Sequence, residues 1–243
     1  FAMRQNQELS LRQMPGAKVA PGASFECMEA VYGVSREGQV RQAFRDYLLT
    51  RMRRVLRGHD KPLAIFEPFG AKPDGSFWET EEFVLDNLAK VAEGQRDSGL
   101  HWEYYAIEFW HDTRGDLKTP DAGRFPNGFT KILPELNKLG TRPGLWLDSG
   151  NVGDWTIADN PAVAPARTPA RGSQRFGLCR ATEPANRFYI EGYAHQLRAN
   201  GVRLVKFDNV QLSCSNPDHE HLPGEYSTEP IANALIEFYR SLD

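Results

Sequence analysis

Residues 202–209 read VRLVKFDN, a short apolar run that closes on a lysine, an aromatic residue, an aspartate and an asparagine. Side chains alternate faces along an extended strand, so Lys206 and Asp208, two residues apart, point the same way. A neighbouring ammonium favours the ionised carboxylate, the form a carboxylate nucleophile needs near neutral pH. A structural ion pair satisfies the same spacing. Three more runs of strand character precede this one: residues 63–67 (LAIFE), 102–110 (WEYYAIEFW) and 143–148 (PGLWLD).

Helical patterns fill the intervals. Over 80–98, Phe83, Val84, Leu88, Val91 and Ala92 share a face, Glu81 and Glu82 lie in the first turn, and Gly99 ends the helix. Phe129, Ile132, Leu133, Leu136 and Leu139 make a second helix, closed by Gly140. A third opens at Pro184, carries Ile190, Tyr193 and Leu197, and stops at Asn200-Gly201. Residues 228–242 form the last. An earlier helix is expected over 40–57, with Val40, Phe44, Leu48, Met52, Val55 and Leu56 at helical spacing.

Strand, loop and helix in four successive rounds indicate a parallel sheet covered by helices. The loops after strands are long and the helix-to-strand turns short. That asymmetry predicts a TIM-type (β/α)8 barrel of α/β class, truncated after about four β/α units. A doubly wound sheet is the rival, but no G-x-G-x-x-G or Walker sequence follows any strand. The expected domains are 1–39, an irregular linker or the end of a preceding domain, and 40–243, a partial barrel catalytic domain. Within the first, FECMEAVYGV (25–34) is a candidate strand.

The net charge of −3 and pI near 6.1 give no electrostatic reason to expect nucleic acid or an anionic membrane as partner. No apolar run reaches the roughly 18 residues of a transmembrane helix. The first residues, FAMRQNQELS, show no leader pattern and read as mature, trimmed or internal. Three cysteines, Cys27, Cys179 and Cys214, allow at most one disulfide.

The strand ends carry the chemistry. The first gives Glu67, the second Glu108 followed by Trp110, His111 and Asp112, the third Trp146 and Asp148, and the fourth Lys206 and Asp208. Acids accept hydrogen bonds from hydroxyls, so acids and aromatics on one rim suit a polyhydroxylated substrate. Trp78 and Trp155 add flat faces of the kind that sugars and cores both use. In the loop after the fourth strand, Cys214, Asp218, His219 and His221 gather metal-ligand types, but C-x4-H-x-H is not a common zinc spacing. That loop is expected to be a polar segment over the active site, with no metal and no cofactor.

KFDN resembles the lysine–aromatic–aspartate nucleophile strand of the α-galactosidase (melibiase) clan of glycoside hydrolases. RFPNGFTKILPELNKLGTRPGLWLD and GLCRATEPANRFYIEGY, which precede it, follow that clan's pattern in order. The resemblance covers roughly 40–243 and is specific around 124–148 and 202–209. It implies that Asp208 is the nucleophile of a retaining reaction, that Lys206 contacts the sugar and supports Asp208, and that Trp146 lines the pocket. Asp148, Glu108, Trp110 and Glu67 complete the expected substrate-binding set. Two departures bear on sugar recognition. The clan's paired aspartates are replaced here by I-E-F-W, and its third-strand glutamate by Asp148-Ser149-Gly150.

The clan's acid/base lies on a later strand, so it is expected beyond residue 243, and the chain alone is expected to be inactive. Unpaired sheet edges would offer a route to self-association. The expected partner is an oligosaccharide or glycoside, and an extracellular or periplasmic location is favoured. The alternatives are a non-catalytic carbohydrate-binding barrel and a metal-dependent barrel hydrolase.

Overall fold

The computed structural model describes residues 2–3, 9–10, 13–14, 16, 19–27, 29–51, 63–111, 117–148, 151–152, 160–169 and 176–242. The chain divides into two units, 1–13 with 19–63 and 14–18 with 64–243. The first holds an antiparallel pair, β1 (Ala2–Met3) with β2 (Leu9–Ser10), and helix α1 (Val40–Arg51). No residue of α1 is buried. Residues 52–57, expected to continue it, lie outside the described residues, and the described part of 25–34 forms no strand.

The second unit runs β3 (Ile65–Phe66), α2 (Glu81–Ser98), β4 (Tyr104–Ile107), α3 (Ile132–Lys138) and β5 (Arg142–Asp148). Three short strands follow: β6 (Asn151–Val152), β7 (Arg167–Pro169) and β8 (Phe176–Leu178). Then come α4 (Glu183–Asn200), β9 (Leu204–Asp208) and α5 (Thr228–Ser241). The main sheet has the order β3-β4-β5-β9 with every pair parallel. Four parallel strands in chain order, joined through helices, fit half of a TIM-type barrel.

The helices end where their caps dictate. The Thr80 hydroxyl accepts the Phe83 N–H at 3.2 Å, and Gly99 takes the left-handed conformation (φ 70°) that a side chain would resist. Val84, Leu88 and Val91 of α2 are buried against Tyr105 and Ile107 of β4, Leu145 of β5, and Ile132 and Leu136 of α3. Each such side chain contributes about 1.5–3 kcal/mol on burial, so this apolar ladder outweighs a cap worth about 1 kcal/mol. A second cluster joins Leu147 to Phe188 and Tyr189 of α4 and Phe238 of α5, with Val205 and Phe207 packed on it.

Alternation therefore sends Tyr105, Ile107, Leu145, Leu147, Val205 and Phe207 toward the helices. Gly144, Trp146 and Asp148, paired with Leu204, Lys206 and Asp208, take the opposite face. Gly144 is required by this packing: a Cβ there would meet Leu204 Cδ2 at 2.9 Å and its Cβ at 3.2 Å. Gly144→Ala is expected to destabilise by about 1–3 kcal/mol, as overpacking does. A urea titration of variant and parent checks this, and equal midpoints would contradict it.

Between β5 and α4 the sequence reads as one long loop, but β6, β8 and β7 form a three-stranded antiparallel ribbon there. Two or three residues per strand are too few to display a period of two.

Candidate active site

Register brings the predicted rim together. In the parallel pair β5–β9, Trp146 stands beside Lys206 and Asp148 beside Asp208. Lys206 Nζ donates to Glu67 and, at 3.2 Å, to Glu108 Oε1, joining three strand ends through one ammonium. Burial works against the Lys206 charge, but the two glutamates outweigh it and raise its pKa. Glu108 is fully buried, and desolvation pushes its carboxyl up to about 7 against the opposing pull of Lys206.

Asp208 is exposed, while Trp146 beside it is 3% exposed. The Trp146 indole Nε1–H donates to Asp208 Oδ2 at 3.2 Å, and the Asn209 backbone N–H donates to Oδ1 at 2.7 Å. Asn209 sits at φ 52°, a left-handed position that asparagine tolerates. There its side-chain Nδ2 also reaches Asp148 Oδ2 at 3.1 Å. Asn209 thus bridges the two aspartates at the ends of β5 and β9.

An aromatic floor adjoins the carboxylates. Phe109 stacks on Trp146 with centroids 4.3 Å apart, and His111 lies nearly parallel to Trp146 on the same residue at 5.8 Å. Trp78, Phe69 and Phe77 extend the surface outward and are exposed. Phe109 has φ 46°, a strained value for a bulky residue, and the Arg124 guanidinium holds its carbonyl and that of His111.

That turn settles the position of Trp110. It interrupts the alternation after Glu108, so Trp110 enters the core at 1% exposure and packs with Phe129. Its indole donates to the Trp146 carbonyl at 2.7 Å, so it supports the rim from beneath. Glu67, Glu108, Trp146, Asp148, Lys206 and Asp208 are on the rim, whereas Asp112 and Trp155 lie outside the described residues.

Sequence reasoning missed Glu79, which is 2% exposed. Its Oε2 accepts the Glu108 N–H at 3.1 Å, and burial pushes its carboxyl up to about 8. An acid one residue ahead of a helix cap reads as ordinary helix-start chemistry, and only the fold reveals its burial. Among the described residues, Cys179, Cys214, His219 and His221 are the set close enough to hold a metal ion.

No family profile matches the chain. Among curated proteins it is 22% identical over 243 residues to α-galactosidase AgaA of Geobacillus stearothermophilus, spanning 92% of this chain and 31% of that protein. It is 24% identical over 239 residues to α-galactosidase C of Emericella nidulans, spanning 86% of this chain and 30% of the relative. The crystal structure of GH36 α-galactosidase AgaA covers 77% of this chain and 26% of its own, with TM-score 0.52 and 20% identity. The galactosidase domain of the α-galactosidase–sucrose kinase AgaSK gives TM-score 0.55 at 14% identity, over 78% of this chain and 26% of that one. The chain is thus similar to GH36 α-galactosidases over most of its own length, and spans under a third of the length of the curated relatives it matches.

Proposed function

We propose that this chain contributes the nucleophile side of a retaining glycoside hydrolase acting on α-linked sugars, with α-galactosides as the leading substrates and Asp208 as nucleophile. The observation that carries this reading is the presentation of Asp208. It is an exposed carboxylate at the end of β9, the strand at one edge of the parallel sheet, with hydrogen-bond donors from Trp146 and Asn209 on its two oxygens. Those donors fix the orientation of the carboxylate without covering it. The curated relatives are α-galactosidases, and doubly substituted variants of AgaA have been crystallised in complex with raffinose and with stachyose.

In this mechanism an Asp208 oxygen attacks the anomeric carbon from the face opposite the leaving group. The new ester bond forms as the bond to the leaving oxygen breaks, and a carboxylic acid protonates that oxygen. Water then cleaves the ester, giving net retention. The acid is assigned to no residue of this chain and is placed on the remainder of a (β/α)8 barrel. Lys206 binds a sugar hydroxyl and stays charged between Glu67 and Glu108. Phe109, backed by Trp146, supports the apolar face of the ring, and Asp148, through Asn209, fixes the turn that carries the nucleophile.

The test is to incubate the full-length natural protein with activated fluoroglycosides and map the labelled peptide by mass spectrometry. A glycosyl adduct on Asp208 is expected. An adduct on another carboxylate, or none on folded protein with any sugar, defeats the assignment.

A further inference from the structure

The loop after β9 and the ribbon meet in a cluster that the sugar chemistry does not use. Cys179 lies just beyond β8, whereas Cys214, His219 and His221 follow β9. One donor atom from each lies within 4.8 Å of all the others. Cys179 Sγ is 3.1 Å from His221 Nε2, and Cys214 Sγ is 3.2 Å from His219 Nδ1. A tetrahedral zinc ion with ordinary Zn–S and Zn–N bonds separates its donor atoms by about 3.3–3.8 Å, so the two close sulfur–nitrogen pairs need open only slightly and the widest separation close by about 1 Å to admit one.

The surroundings fix the correct donor atoms. His219 Nε2 lies 2.9 Å from the Pro165 carbonyl, and His221 Nδ1 2.9 Å from the Leu222 carbonyl. A carbonyl can only accept, so each of these nitrogens carries the proton, leaving the lone pair on the nitrogen that faces a sulfur. The Asn216 amide, 3.1 Å from His219 Nε2, donates to the Arg167 carbonyl at 2.9 Å. The Thr168 hydroxyl lies 3.2 Å from the Cys214 sulfur and can donate to a thiolate there. Both sulfurs are buried, at 2% and 0% exposure.

We propose that Cys179, Cys214, His219 and His221 form a structural Zn2+ site that fastens the segment after the nucleophile strand to the ribbon. Two thiolates and two imidazoles make a closed tetrahedral set with no position left for substrate. The C-x4-H-x-H spacing conceals this because the fourth ligand comes from 35 residues upstream of Cys214. The loop already closes on itself: Cys214 accepts the Gly224 N–H at 2.8 Å and donates its own N–H to the Ser227 hydroxyl at 2.7 Å. The ion would add a cross-link from that closed loop to the residues just before α4.

The full-length natural protein, purified without chelator and dialysed against metal-free buffer, is expected to retain one zinc per chain by inductively coupled plasma mass spectrometry. Co2+ in place of zinc is expected to give the d–d bands of a tetrahedral ion and sulfur-to-metal charge transfer. Cys179→Ser and His221→Ala should each lose most of the zinc, while His195→Ala, on the exposed side of α4, should keep it. Should the ligand variants fail to fold, the cobalt spectrum of the parent protein decides alone. Folded protein with no zinc and no cobalt bands overturns the proposal. So does a Cys179–Cys214 disulfide found by peptide mapping, or full zinc content in folded Cys179→Ser.

Discussion

Asp208→Gly in the full-length enzyme is expected to lower kcat by at least about 10³-fold, with azide restoring part of the turnover. The glycine leaves a gap beside the Trp146 indole where the carboxylate stood, and a small anion can enter it. Azide attacking from that side would give a glycosyl azide of inverted configuration, because one displacement replaces two. Asp148→Asn is expected to behave differently. Asp148 holds the Asn209 side chain, so the change should weaken binding and turnover without making the enzyme responsive to azide. Product analysis by NMR separates these outcomes. Azide rescue of Asp148→Gly but not of Asp208→Gly would transfer the nucleophile to β5.

Wild-type folding stability is expected to fall as pH rises from about 4.5 toward 8, and Glu79→Gln to remove much of that slope. Glu79 and Glu108 have carboxyls raised by burial from a usual value of 4.5 to about 8 and about 7. A raised folded pKa means that the folded state holds the proton more tightly than the unfolded chain. The stabilisation is complete below the unfolded value and is lost as pH climbs through the folded one. At pH 8 the glutamine variant should exceed wild type by on the order of 1 kcal/mol or more, with near equality at pH 4.5. Glu108 has its own raised carboxyl pKa and remains in the variant, so a residual slope is expected. Urea titrations at pH 4.5, 6 and 8 measure this. An unchanged slope in the variant would mean that Glu79 does not take up the proton.

Much of the main sheet was legible because its signals are local. Thr80 and Gly99 bracket α2 as the sequence implies, and β5 and β9 hold Trp146, Asp148, Lys206 and Asp208 on one face as a period of two requires. The rest was hidden for identifiable reasons. Trp110, just beyond Glu108 at the second strand's end, belongs to the expected substrate-binding set. The left-handed backbone at Phe109 redirects it into the core, and nothing in the sequence forces a phenylalanine into that conformation. Glu79 acquires its altered proton affinity from desolvation, which depends on tertiary packing. The ribbon strands are too short to show alternation, and Cys179 joins Cys214 only because that ribbon folds.

The match between chain order and spatial order in the main sheet has a consequence for how it assembles. Each strand finds its neighbour in the element just completed: β3 meets β4, then β4 meets β5, with one helix spanning each interval. Loop-closure cost rises with the length of chain enclosed, so these two pairings are cheap and can proceed during synthesis as the chain emerges. The β5–β9 pairing encloses the ribbon and α4, the widest excursion in the sheet, and is the natural candidate for the slow step. The pairing that sets Asp208 beside Asp148 would then be the last to form, and until it does the nascent chain has its aromatic floor without that second carboxylate beside it.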